Sequence, residues 1–126
     1  MQIDHLTVPV RDYEVGKRFY AEALEPLGYR VLLDWPDKRR VYLGVPGGPS
    51  SIWVVESAFA GSLDVSIVVE DRGDVASFHA AALASGARSL AEPETRTDSY
   101  VTQIADFDGN VIEAVHRELA IERAAA

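Results

Sequence analysis

The 126-residue chain sets 12 Lys and Arg against 20 Asp and Glu, a formal net charge of −8, with 48% hydrophobic residues and no cysteine. That composition fits a globular protein able to bury its own core. It excludes disulfides, thiol nucleophiles and cysteine-held metals, and it argues against nucleic-acid or anionic-membrane partners. No run approaches the roughly 18 apolar residues of a membrane span, and Met1-Gln2-Ile3-Asp4-His5 does not read as a signal peptide, so a cytoplasmic protein is expected.

Residues 3–10 alternate as a strand, with Leu6, Val8 and Val10 on one side and His5 and Thr7 on the other. Asp12 suits a helix N-cap; Val15, Phe19 and Ala23 would form the buried stripe, and Gly28 would close the helix. Tyr29–Trp35, Arg39–Val45 and Ser51–Glu56 read as strands separated by Pro36-Asp37-Lys38 and Pro46-Gly47-Gly48-Pro49 turns. Asp64–Val69 is a further strand. A second helix follows, capped near Asp74, with Val75, Phe78, Ala82 and Leu83 inward and Gly86 at its end. Two last strands flank Asp108-Gly109-Asn110, a strong hairpin signal.

These elements repeat. Sliding the chain by 59 positions lays His5–Asp12 on Asp64–Asp71, with Leu6, Val8 and Val10 meeting Val65, Ile67 and Val69. Phe19 then meets Phe78. A one-residue deletion aligns Gly28 with Gly86, Arg30 with Arg88 and Leu32 with Leu90, and an offset of 60 sets Val41–Glu56 over Val101–His116. The organisation expected is a first module over residues 1–57, a small-residue linker over 58–62, a second module over 63–117 and a tail over 118–126. The charge is not repeated: residues 1–59 hold 7 bases and 8 acids, a net of −1, and residues 60–126 hold 5 and 12, a net of −7.

A doubled βαβββ plan carrying Ile3-Asp4-His5-Leu6-Thr7-Val8 near its start and Phe107-Asp108-Gly109-Asn110-Val111-Ile112-Glu113 near its end resembles the vicinal-oxygen-chelate superfamily. Phe19-Tyr20 with Pro26-Leu27-Gly28-Tyr29, and Phe78–Leu83, match its helices. The superfamily groups glyoxalase I, extradiol dioxygenases, fosfomycin-resistance thiol transferases and bleomycin-resistance binding proteins. Over residues 1–117 the resemblance implies an α+β fold: two tandem βαβββ modules forming an open curved mixed sheet with helices on the convex face. It also implies a small-molecule ligand or substrate in the sheet cup, and a homodimer.

In the metal-using members of that superfamily, ligands project into the cup from the first and last strands of each half. The repeat places His5 and Asp64, Trp53 and Glu113 at those positions. His5, Asp64 and Glu113 would make a one-histidine, two-carboxylate site for Mn²⁺, Fe²⁺, Ni²⁺ or Zn²⁺. Two departures stand against it. Trp53 takes the place of a glutamate of glyoxalase I and cannot ligate, and Asp64 is shorter than the histidine, glutamine or glutamate usual there.

Other residues extend the candidate site. Thr7 and Ser66 hold matched cup-facing positions, and Trp53 would offer an aromatic wall to a flat or cationic ligand. If Asp108-Gly109 forms a two-residue turn, Tyr100, Thr102 and Ile104 share the face of Glu113, and Tyr100 and Thr102 would assist it in catalysis. His79 should pack between helix and sheet, and His116 should point away from the cup. Two functions follow: a metal-dependent lyase, isomerase or dioxygenase acting on a small oxygenated molecule, or a metal-free drug-binding protein in which Asp64 and Glu113 pair with a cationic aromatic ligand. A dimeric scaffold with no retained site is the third.

Overall fold

The structure, a computed structural model, describes residues 2–118; the expected tail falls almost wholly outside them. Strand β1 (His5–Val10) buries Val8 and Val10 and leaves Thr7 exposed, as its alternation requires. Helix α1 (Tyr13–Ala23) begins where the Asp12 carboxylate accepts the Val15 amide.

The buried stripe of α1 is Tyr13, Gly16, Phe19, Tyr20 and Ala23, and Val15 is 46% exposed. The expected stripe was thus displaced at its first member. Gly16 lies on the line of closest approach, where a Cβ would come within 2.7 Å of the Val10 side chain, and this turns Val15 outward. The α-helix also stops before Gly28, because Pro26 has no amide to donate and its ring excludes a continuing turn. A 3₁₀ turn over Glu25–Leu27 fills the gap.

Strands β2 (Arg30–Trp35), β3 (Arg40–Gly44) and β4 (Ser51–Glu56) complete a first sheet ordered β1-β4-β3-β2, parallel between β1 and β4 and antiparallel elsewhere. The second half repeats it. Strand β5 (Asp64–Val68), helix α2 (Arg72–Ala84), and strands β6 (Arg88–Arg96), β7 (Ser99–Ala105) and β8 (Val111–Arg117) give a second sheet ordered β5-β8-β7-β6. The correspondence extends to irregularities. The β2–β3 register slips between Val31 and Leu33, and the β6–β7 register slips between Ser89 and Ala91, the positions around the aligned Leu32 and Leu90.

Helix α2 is capped by Asp71, not Asp74. The Asp71 carboxylate accepts the Asp74 amide while the Asp74 carboxylate accepts the Asp71 amide, a reciprocal box. Leu83, expected inward, is exposed, and His79 fills that part of the buried stripe instead.

Both helices and the helix-facing sides of both sheets share one core. Val8, Phe19, Leu43 and Val54 belong to the same cluster as Val75, Phe78, Ile104 and Ile112, and α1 packs on α2. The other side of each sheet therefore looks away from that core. Between the modules, Asn110 donates to the Pro9 carbonyl and accepts the Gly61 and Leu63 amides. No helix among the described residues is long and apolar enough to cross a membrane.

Candidate functional site

On the first sheet, Val41, Leu43, Ile52 and Val54 face the core. Alternation then sends His5, Thr7, Trp53, Tyr42 and Arg40 to the opposite side, the one expected to line the cup, and the register sets Leu33 beside Tyr42 there. Four of the rings on this face form a row across the strands. His5 stacks on Trp53 at 3.9 Å between centroids with planes 9° apart, and Trp53 stacks on Tyr42 at 3.8 Å and 18°. Trp35 closes the row edge-to-face against Tyr42 at 4.9 Å and 83°.

Neighbouring strands lie about 4.8 Å apart, so rings stacked face to face from adjacent strands stand upright on the sheet. Both faces of Trp53 are consequently covered, and its edge is what it offers to the cup. Its indole N–H donates to Ser51 Oγ at 3.2 Å, and His5 Nδ1 lies 3.0 Å from Asp4 Oδ2. The neighbouring carboxylates Asp34 and Glu56 point to the helix side. Asp34 accepts both Lys17 and the Tyr13 hydroxyl, which hold its carboxyl below the usual range. Glu56 accepts Arg39 and the Tyr13 amide, which do the same.

On the second sheet Glu113 is flanked by Ser66 and Gln103 in register. One of its oxygens accepts the Ser66 hydroxyl at 2.6 Å and the other accepts the Gln103 amide at 3.0 Å. Asp64 is exposed two residues before Ser66.

Tyr100, Thr102 and Ile104 do not share the Glu113 face. They pair with His116, Ala114 and Ile112 on the helix side, so the expected register is corrected by one residue. Thr102 is fully buried and donates to the Ala91 carbonyl, and the Arg72 guanidinium lies over the Tyr100 ring at 4.6 Å. The reason is the turn. Asp106 Oδ1 accepts the amides of Asp108 and Asn110, and the Asp106 amide reaches the Asn110 carbonyl. The connection from Ala105 to Val111 thereby holds five residues, an odd number, and the whole strand turns over.

Gln103 was the residue missed, and Asp106 was its signal, since an Asp that can bond backbone two residues on announces an Asx turn. His116 lies on the face away from Glu113. His79 is buried with Nε2 2.9 Å from Ser89 Oγ.

These placements test the metal reading. No group of three or more His, Asp or Glu able to hold a cation is assembled among the described residues. His5 is stacked and bonded to Asp4, and both Glu113 oxygens already have uncharged donors, so Glu113 needs no cation to sit where it does. Within one chain His5, Asp64 and Glu113 do not fit a divalent metal.

Two tandem βαβββ modules, each with a helix on one side of a four-stranded mixed sheet and polar and aromatic groups on the other, define a class of protein. The sequence profile of the Glyoxalase/Bleomycin resistance protein/Dioxygenase superfamily matches residues 2–114, and the chain belongs to that superfamily. Among solved structures it is similar to a glyoxalase/bleomycin resistance protein from Albidiferax ferrireducens T118 (27% identity, TM-score 0.78, 90% of this chain and 98% of that one). It shares its fold with a glyoxylase/bleomycin resistance protein/dioxygenase domain from Frankia sp. EAN1pec (21%, 0.74, 93% and 98%). The same holds for TnmS3, an antibiotic binding protein from Streptomyces sp. CB03234 (24%, 0.71, 93% and 96%). No curated protein sequence is significantly similar to the chain.

Proposed function

We propose that the chain is a small-molecule binding protein, of the kind that sequesters drugs, and that it takes a flat aromatic ligand against the ring row of the first sheet. The observation that carries this reading is the row itself: His5, Trp53, Tyr42 and Trp35 aligned on a face turned from the core, with Trp35 37% exposed. Upright aromatic edges favour a ring laid across them, an edge-to-face contact of about 0.5–1.5 kcal/mol beyond area burial. Burial of the exposed apolar surface adds about 25 cal/mol per Å². The fold shared with an antibiotic binding protein supports the same reading.

The protein works as a homodimer in this proposal, because Val68, 69% exposed on the second sheet, leaves apolar surface that a second copy would cover. The alternative, a metal-dependent lyase, isomerase or dioxygenase, would have to assemble His5, Asp64 and Glu113 from two copies.

The chain has two tryptophans, and both stand in the row. Their two indole N–H resonances therefore report on this face alone. Titration with planar aromatic compounds should shift both resonances saturably, while Mn²⁺, Fe²⁺, Ni²⁺ and Zn²⁺ should not be retained at stoichiometry after desalting. Stoichiometric metal that is lost in His5→Ala would overturn the proposal in favour of the enzyme.

A further inference from the structure

The aromatic face carries a cation, Arg40, in a chain whose formal net charge is −8. Arg40 leaves β3 two residues before Tyr42, about 7 Å along the strand, on the same side of the sheet, with Trp35 and Val55 as its cross-strand neighbours. Its Nε is shut away from water with no hydrogen-bond partner, and its guanidinium enters no ion pair among the described residues. Arg39, Arg72, Arg96 and Arg117 each reach a carboxylate, although the Arg117 Nε is closed off in the same way.

The fold withholds one from Arg40. Asp34 and Glu56 stand next to its two strand neighbours, Trp35 and Val55. Alternation turns both to the helix side, where Lys17, Tyr13 and Arg39 occupy them. The closed-off Nε takes no part in binding, whereas Nη1 and Nη2 are not among the shut-away atoms and have no partner among the described residues. A planar fork of that kind is suited to a carboxylate held by two parallel bonds.

The ring row points the same way. The rim of an aromatic ring carries its positive end and the face its negative end. Trp53, sandwiched between His5 and Tyr42, shows the cup a rim and no free face. A cation seeking the face of Trp53 finds both sides occupied, whereas an electron-rich ring, or an oxygen anion, meets hydrogen-bearing edges. The Tyr42 hydroxyl, with no partner among the described residues, is a second donor on this face. Asp4, beside the row, is bonded to His5. Asp64 and Glu113, which would have favoured a cation, lie on the other sheet.

Building on the binding reading above, we infer that the ligand is an aromatic acid: its ring lies over the upright edges of Trp53 and Tyr42, and its carboxylate pairs with Arg40. The specificity element is Arg40, and the class of ligand is a planar aromatic of one or two fused rings bearing an anionic group.

The test follows the two indole resonances of the intact chain during titration with three probes of equal shape: 2-naphthoate, 2-naphthamide and 2-naphthylmethylammonium. The acid should bind at least tenfold more tightly than the amide, with the ammonium weakest. Arg40→Gln should bring the acid down to the level of the amide while leaving amide binding within about twofold. Arg88→Gln, which removes an exposed arginine from the second sheet, should leave the acid-to-amide ratio unchanged. Acid and amide binding equally well to the wild-type chain would overturn the inference and leave the binding reading standing. Absence of any indole shift with all three probes would overturn both. The wild-type comparison decides the matter even if Arg40→Gln does not fold.

Discussion

The Tyr20 hydroxyl donates to Asp106 Oδ2 at 2.6 Å, joining helix α1 of the first module to the β7–β8 turn of the second across 86 positions of sequence. Both groups are buried, and Asp106 is also the acceptor that shapes its own turn and holds the Asn110 side chain. Tyr20→Phe removes one donor from a buried carboxylate without opening a cavity. Its expected cost is about 2 kcal/mol, read as a lower denaturant midpoint at unchanged slope. An unchanged midpoint would show that the junction does not depend on this bond.

The same contact sets the alkaline limit of stability. Burial first, and then the Asp106 charge, push the Tyr20 hydroxyl far above its ordinary value of 10.0. The unfolded chain releases this proton near pH 10 while the folded chain keeps it. The contribution is therefore complete below about pH 10 and is lost as pH rises beyond it. Unfolding free energy should fall more steeply between about pH 9.5 and 11.5 in the wild-type chain than in Tyr20→Phe. Tyr29, raised by burial alone, adds a residual slope in the same direction.

Asp34 contributes to acid stability, alongside Glu56. The Lys17 ammonium and then the Tyr13 hydroxyl hold its carboxyl below the ordinary 3.8. A depressed folded value means stability that is present above about pH 4 and disappears as pH falls through the folded value. Asp34→Asn should be less stable at pH 7 and lose less between pH 4 and 2, so that the two acid-denaturation curves converge. Parallel curves would remove Asp34 from the acid transition.

The fold was legible because burial is periodic. Leu6, Val8 and Val10 and their counterparts Val65, Ile67 and Val69 carry the same alternation, and the aligned Leu32 and Leu90 even mark where both sheets slip register. The site was legible on one side only. Strand alternation turns His5, Thr7 and Trp53 away from the core on the first sheet and Ser66 and Glu113 on the second, where a single cup for all of them was expected. Gln103 was missed because Asp106 lengthens the turn by a backbone-bonding device that hydrophobic patterning does not register. The stacking of His5 and Tyr42 on both faces of Trp53 was equally hidden, since it requires knowing that β3 and β1 both neighbour β4. Arg40 stood in the expected strand Arg39–Val45 without an assigned role, and its strand register turns it to the opposite side from Arg39.

The linker makes the last prediction. Gly61 has φ +102°, and a Cβ there would fall against the Asp108 carbonyl oxygen, far inside contact distance. That carbonyl cannot yield easily, because Asp106 fixes the Asp108 amide and Asn110 fixes the Gly61 amide from the other side. Gly47 also has a positive φ, +76°, but a Cβ at that position meets nothing within 4 Å. Both alanine variants share the left-handed backbone cost of about 1–2 kcal/mol, and only Gly61→Ala adds the collision. The difference between their denaturant midpoints therefore isolates the close approach of linker and turn. Gly61→Ala should be the less stable by at least about 1 kcal/mol beyond that shared backbone term. Equal midpoints would mean that the linker moves off the turn freely.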